Sequence, residues 1–314
     1  ELDITLEQVT NDTYLKAYKI QSPIINDDSL LESSMKVTAL KESLSLDLEL
    51  KVFEDLTKKK SDRYEYMLPN YTLIKEFDEV NNFDGIFSLN SSGHMKNYDT
   101  NVSEKVLIND FYFKSHSKFK DNGIKSNYTF LVKNTNTDGD NSLRYEKNPN
   151  HDLATLVEYN STYPLKRVTN EYTNILKPKL SLRYSPNKTR NIRDEERRID
   201  TNNVFSLNRI AKNDTLEGGA SLTYGTQFLK KNPKGRDLLN ISIANIIRAE
   251  ENQKLPGNSS LGEKMSDVFG SINFNPNKII TTGYDFAKNN NLVDTNYEIF
   301  KGGLEINNFV TKFE

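Results

Sequence analysis

The 314-residue sequence contains no cysteine and no tryptophan, and only three histidines. Without a thiol it can hold no disulfide scaffold, thiolate zinc site, iron–sulfur cluster or cysteine nucleophile. His94, His116 and His151 are too few and too scattered to suggest an imidazole metal site. Charge of one sign is also missing: 42 basic residues stand against 44 acidic ones. A nucleic-acid binder shows a basic excess on one face, so that class is set aside. No apolar run reaches the roughly 18 residues of a helical membrane span.

Apolar residues are scarce as well, at 35%. The length suggests about two soluble domains, yet this content is thin for two packed cores. Disorder, a soluble all-β protein with a polar exterior, and a transmembrane β-barrel each account for the shortage. In a barrel only the outward half of each strand must be apolar, because the lumen is wet. Asparagine, in contrast, is abundant, with 39 residues. An AT-rich genome explains that excess together with the missing tryptophan, so the Asn-x-Ser/Thr triplets at Asn11, Asn127, Asn160 and Asn213 are read as composition rather than as glycosylation sites.

What is present is a period of two. In Ser43-Leu44-Ser45-Leu46-Asp47-Leu48-Glu49-Leu50-Lys51-Val52 apolar and polar residues alternate throughout. A strand sorts them onto two faces, whereas a helix would scatter the leucines around the cylinder. If the leucines meet lipid, Asp47, Glu49 and Lys51 face a hydrated lumen. The barrel reading places Leu44, Leu46, Leu48 and Leu50 on the convex face and Ser45, Asp47 and Glu49 on the concave one. A soluble sheet with one wet face remains open from this segment alone. Similar patterns recur at Lys179–Tyr184, Ala220–Tyr224, Leu239–Ile243 and Ser271–Phe274. Turn chemistry bounds them at Pro186-Asn187 and Asn275-Pro276-Asn277-Lys278. At about 20 residues per strand and connection, roughly 14 to 17 antiparallel strands are expected. The short turn at 275–278 contrasts with expected long connections at Lys58–Arg63, Asn134–Asn150 and Lys188–Arg198, the asymmetry of outer-membrane barrels. No fixed short repeat points to a solenoid or propeller.

No catalytic constellation emerges, so neither an enzyme nor a cofactor is expected. There is no Gly-rich phosphate loop, nucleophile elbow or histidine-containing triad. Asn134-x-Asn136-x-Asp138-Gly139 resembles the start of a calcium loop, but Tyr145 stands where a bidentate glutamate belongs, and an external polar loop is the preferred reading. Arg190-Asn191-Ile192-Arg193-Asp194-Glu195-Glu196-Arg197-Arg198 contains arginines suited to phosphate. Its acids neutralise its bases, and it is read as a solvated, self-paired loop.

Longer motifs carry a resemblance. Val9-Thr10-Asn11-Asp12-Thr13-Tyr14-Leu15, Leu30-Leu31-Glu32-Ser33, Phe53-Glu54-Asp55-Leu56 and Met67-Leu68-Pro69-Asn70-Tyr71 follow in an order similar to that in the barrel of the LPS-assembly (LptD) family. The strongest match joins Asp200-Thr201-Asn202-Asn203-Val204-Phe205-Ser206-Leu207-Asn208-Arg209-Ile210 to Asn213-Asp214-Thr215-Leu216-Glu217-Gly218-Gly219 and Tyr224-Gly225. Leu176-Lys177-Pro178 with Tyr184-Ser185-Pro186 resembles the hairpin before it. Leu255-Pro256 and Ser260-Leu261-Gly262-Glu263-Lys264-Met265-Ser266-Asp267-Val268 resemble the strand entry after it. The sequence departs from the family pattern at Ile210-Ala211-Lys212-Asn213, where a glycine usually precedes the aspartate, and at Thr215, where arginine is common.

The resemblance implies an all-β fold, a large antiparallel transmembrane barrel of the outer membrane, of which residues 1–314 form a central part. The periplasmic N-terminal domain and closing strands would lie outside this fragment, which alone would be an open, curved sheet. It further implies lipopolysaccharide as cargo, outer-membrane lipid around the barrel, an LptE-like plug lipoprotein and a periplasmic lipopolysaccharide-bridge protein as partners, and no nucleic acid. The acyl chains would leave between the first and last strands, powered by ATP hydrolysis at the inner membrane. A porin or nutrient receptor is the alternative, and a soluble adhesin the third class. For Asn208, Arg209 and Glu217 two roles are open: contact with saccharide, phosphate or plug, or hydrogen bonds that fix one hairpin. The crowding of turn residues favours the second.

Overall fold

The structure, a computed structural model, describes residues 1–18, 27–78, 83–306 and 309–313. It is all-β: seventeen strands belong to one sheet. In chain order they are β1 (Leu2–Thr5), β2 (Leu30–Lys41), β3 (Leu44–Asp55), β4 (Tyr64–Glu76), β5 (Gly85–Tyr98), β6 (Val102–Ser115), β7 (Lys118–Phe119), β8 (Lys125–Asp140) and β9 (Asn150–Thr162). There follow β10 (Leu165–Val168), β11 (Thr173–Ser185), β12 (Gly219–Lys231), β13 (Asp237–Arg248), β14 (Val268–Phe274), β15 (Ile280–Lys288), β16 (Thr295–Ile306) and β17 (Phe309–Phe313). One short helix, α1 (Tyr14–Tyr18), precedes β2. Two compact units divide the chain, residues 1–113 with 131–153, and residues 114–130 with 154–314.

In the first unit β1 to β5 pair antiparallel in sequence order. The register of β3 sorts its side chains as the alternation requires. Leu46 lies opposite Ala39 and Leu73, and Leu48 opposite Val37 and Tyr71. Asp47 lies opposite Thr38 and Thr72, and Glu49 opposite Lys36 and Asn70. The polar face is tied by Thr38 Oγ1 donating to Asp47 at 2.7 Å, by Lys36 near Asp47 and Glu49, and by Lys51 between Glu32 and Glu49. The ladder skips at Leu68-Pro69, where two residues of β4 oppose single residues of β3 and β5. Proline has no N–H to donate, so a bulge is where a strand can carry it. Where the β4–β5 connection leaves, Phe77, Phe83, Phe87, Phe111 and Phe113 pack together, the closest pair with ring centres 4.7 Å apart.

The expected loop at 134–150 begins seven residues later than sequence spacing suggests, because β8 continues to Asp140. Asn134, Asn136 and Asp138 share one strand face, and their side chains bond sideways rather than around a cation. Asn134 Oδ1 accepts from Asn109 and Asn136, His151 Nδ1 meets Asn136 Oδ1 at 2.7 Å, and Lys105 pairs with Asp138. Thr135 and Thr137 between them are β-branched, which suits a strand. Among the described residues no group of His, Asp or Glu has the arrangement of a metal site.

In the second unit β9 and β10 both pair with β11, and β11 to β17 follow in order. The burial pattern of β11 is inverted with respect to a soluble strand. Ser181, Arg183 and Ser185 are at most 5% exposed, while Leu180, Leu182 and Tyr184 are 36%, 48% and 56% exposed. Such an apolar-out, polar-in strand needs a non-aqueous exterior. Connections alternate in length. Residues 232–236 and 275–279 join strands at one end, while 186–218, 249–267 and the shorter 289–294 join them at the other.

The segment at 188–198 is a solvated loop only in part: Arg193, Asp194, Glu196 and Arg198 are exposed and Arg190 stands 3.9 Å from Glu195, but the segment is docked rather than free. Ile192 and Ile199 are buried, and with Val204, Ile210, Leu255 and Leu261 they pack on Ala244, Ile246, Phe269 and Ala287 of β13 to β15. Ile192 among the charges and Ile199 just after them dock the segment. Arg198 lies over the Tyr297 ring at 4.1 Å, and Arg197 Nε donates to Arg209 O.

Candidate functional site

The two long connections of the second unit cover the polar face of β11 to β13, and their junction is a charged knot. Arg209, fully buried, donates through Nε and Nη2 to the two oxygens of Glu217 at 2.7 and 2.5 Å. Its remaining donors reach Thr223 Oγ1 and Ser221 Oγ, both at 2.9 Å, so every arm of the guanidinium fork is used. Arg248, at the end of β13, donates to Glu217 Oε1 and to the carbonyl of Gly218. Arg183 of β11 stands 3.9 Å from Glu217 and donates to the carbonyls of Ser206 and Leu207. Glu158 of β9 accepts from Ser181 and Asn160 on the same face.

Burial alone would raise the carboxyl of Glu217, but the nearby guanidinium groups of Arg209, Arg183 and Arg248 outweigh it and hold the group well below the usual carboxylate range. Glu217 therefore stays ionised. The knot offers no proton to transfer and no open coordination position. Its chemistry is that of an anchor: three cations from three segments converge on one anion, with main-chain carbonyls taking the surplus donors.

Two glycines make the approach possible. A Cβ on Gly218 would stand 2.0 Å from the carbonyl oxygen of Asn187, and its N–H donates to Thr189 Oγ1. Gly219 adopts φ +89°, which brings β12 out of the knot at an angle that side chains disfavour.

Most of the motif residues after position 199 belong to these two connections. Asp200 accepts from the N–H groups of Asn202 and Asn203, Phe205 packs on the apolar cluster beneath Lys179, and exposed Asn208 donates to Lys212 O at 3.0 Å. Asp214 is buried and pairs with Arg190 at 3.1 Å. In the other connection Ser266 Oγ accepts from Ile246 N–H at 2.9 Å, Asp267 N–H donates to Ser260 Oγ, and Asp267 accepts from Asn296. Pro178 lies within β11, opposite Thr226. Asp12, Tyr14, Leu68 and Pro69 belong to the first unit. There Asp12 holds Arg63 with both carboxylate oxygens, Tyr14 packs on Tyr18, and Leu68-Pro69 forms the bulge of β4.

The motif reading singled out Arg209 and Glu217 but missed Arg183, Arg248, Glu158 and Thr189. A signal for Arg183 existed, since it falls on the polar phase of an alternating run. Arg248 carries none, because it ends a run whose last residues are nearly all apolar.

The profile of a family described as LptD: LPS transport system D matches residues 1–298. No curated protein matches the chain. The match covers nearly the whole sequence, and the inverted strands of the second unit are what an outer-membrane barrel requires, so the porin, receptor and adhesin readings give way. The chain belongs to the LptD family of lipopolysaccharide-transport proteins, β-barrel proteins of the Gram-negative outer membrane.

Proposed function

We propose that this chain forms the central part of an LptD-type translocon barrel that inserts lipopolysaccharide into the outer leaflet. The observation that carries this reading is the polar inward phase of β11 and β12, with Ser181, Arg183, Ser221 and Thr223 buried and Gln227 partly buried, opposite an outward phase of exposed Leu180, Leu182 and Tyr184. Sugars and phosphates pass along such a surface with their hydrogen bonds exchanged rather than lost. No bond is broken in the transfer, so no catalytic residue is called for, and the work comes from ATP hydrolysis elsewhere. The knot at Glu217 serves the path indirectly by fixing the segment that covers it. An LptE-like lipoprotein as plug and a periplasmic bridge protein as donor complete the assembly.

The test is site-specific photocrosslinking in the full-length protein. Gln227 and Asn240 are hydrogen-bonded neighbours on the polar phase of β12 and β13. Phe274 is exposed on the apolar phase. A photoreactive residue at 227 or 240 is expected to give lipopolysaccharide adducts that need ATP, and one at 274 adducts that do not. ATP-independent or absent adducts on the polar phase would overturn the reading.

A further inference from the structure

Lys177 and Lys179 share the inward phase of β11 with Ser181, Arg183 and Ser185. They are two residues apart, roughly 7 Å from backbone to backbone. Both side chains are half-buried. On other strands such lysines are answered by acids: Lys36, Lys51, Lys96, Lys133, Lys231 and Lys301 each have a carboxylate oxygen within 3.6 Å. Among the described residues Lys177 and Lys179 are paired with no carboxylate. The charged group that acts on Lys179 is Lys177, which repels it. Lys179 also lies over the Phe205 ring at 5.7 Å, near the outer limit of a cation–π contact.

What stands across the ladder from the pair is neutral. Lys179 faces Thr162 of β9 and Gly225 of β12, and Lys177 faces Gln227. Gln227 Nε2 donates to Asn240 Oδ1 at 3.1 Å, which leaves the second N–H of the Gln227 amide for another acceptor. Glu158, the carboxylate on the same face, stands opposite Arg183 and accepts from Ser181 and Asn160. Two like charges side by side, half out of water and without an anion, disfavour the fold that holds them together.

We infer that Lys177 and Lys179 together hold a phosphate group borne on a sugar of the cargo, while Gln227, Asn240 and Thr162 bond to that sugar's hydroxyls. A phosphate monoester carries close to two charges at neutral pH, which matches two ammoniums, whereas a carboxylate carries one. Lysine binds phosphate as a point charge on a flexible stem, so both ammoniums reach one group from neighbouring positions of a single strand face. The inference rests on the transport reading of this polar phase and names the part of the cargo that the wall recognises.

The test treats the full-length protein in detergent micelles with N-hydroxysuccinimidyl acetate and follows acetylation of each lysine by mass spectrometry. Lipopolysaccharide at ten times its dissociation constant is expected to slow labelling of Lys177 and Lys179 about tenfold, the ratio of total to unoccupied sites. Ion-paired Lys36 and Lys231 are references that should not change. Lipopolysaccharide stripped of phosphate by a phosphatase should protect neither lysine, and equal protection by it overturns the phosphate. Inorganic phosphate separates the sources: protection by it at the same concentration keeps the anion site and overturns the glycolipid as its occupant. Lysines protected before any addition, and released when co-purifying protein is stripped away, belong to a partner's carboxylates, which overturns the inference as well. Lys177→Gln with Lys179→Gln should lower the ATP-dependent adducts at 240 at least about tenfold, the weight of one hydrogen bond to a charged group, and Lys177→Arg with Lys179→Arg should retain them. ATP-dependent adducts with unprotected lysines leave the path standing and remove the pair. Protection without adducts does the reverse.

Discussion

Glu217 holds three guanidinium groups that come from a connection and from the ends of two strands, and it is buried where no water can replace it. Removing one partner of a buried ion pair leaves the others uncompensated, which typically costs about 3–5 kcal/mol. Glu217→Gln is therefore expected to lower stability by that order in denaturant unfolding of the micelle-solubilised protein. The same experiment has a pH signature. The carboxyl is held below its ordinary value of 4.5 in the folded state, so its contribution is complete above that value and is lost as pH falls towards the folded value. The gap between the unaltered protein and Glu217→Gln should accordingly narrow only below about pH 4.5. A gap that stays constant into strong acid would show that the ionised carboxylate is not what the arginines hold. Arg209 and Glu217 were legible through their motif. Their partners were not, because a long-range ion pair leaves no trace in local spacing.

At the scale of the strand, alternation was the readable signal. It sorted β3 onto its two faces and foretold the short turn after β14, because a period of two has one geometric solution in an antiparallel ladder. It failed where composition imitates a loop. Asn134, Asn136 and Asp138 read as turn residues, yet they continue β8 because their side chains bond to neighbours across the face. The charged run after Arg190 was read only in part: its charges stay in solvent, but Ile192 within it and Ile199 after it anchor it to the strands. The two faces of β3 should respond unequally to charge. Leu48→Lys places an ammonium on the lipid side and is expected to cost about 2–4 kcal/mol if it lies near the midplane. Glu49→Leu loses only partly exposed ion pairs to Lys36 and Lys51, worth at most about 1 kcal/mol. Folding yield into vesicles, read by heat-modifiability, compares them. Equal losses would contradict the assignment of faces.

For the whole molecule, the small apolar fraction becomes intelligible as half of each strand given to lipid and half to water. The parent protein should partition with detergent and precipitate without it, and recovery in aqueous buffer alone would contradict membrane residence. The assembly of the second unit also carries a constraint set by its knot. Arg183, Arg209, Glu217 and Arg248 arrive from β11, the long connection and β13, so an intermediate in which Glu217 has not yet arrived gathers three guanidinium groups with no carboxylate among them. Repulsion between like charges then disfavours bringing the ends of β11 and β13 together ahead of residues 186–218. Closing this end of the sheet and seating its covering segment are therefore coupled steps.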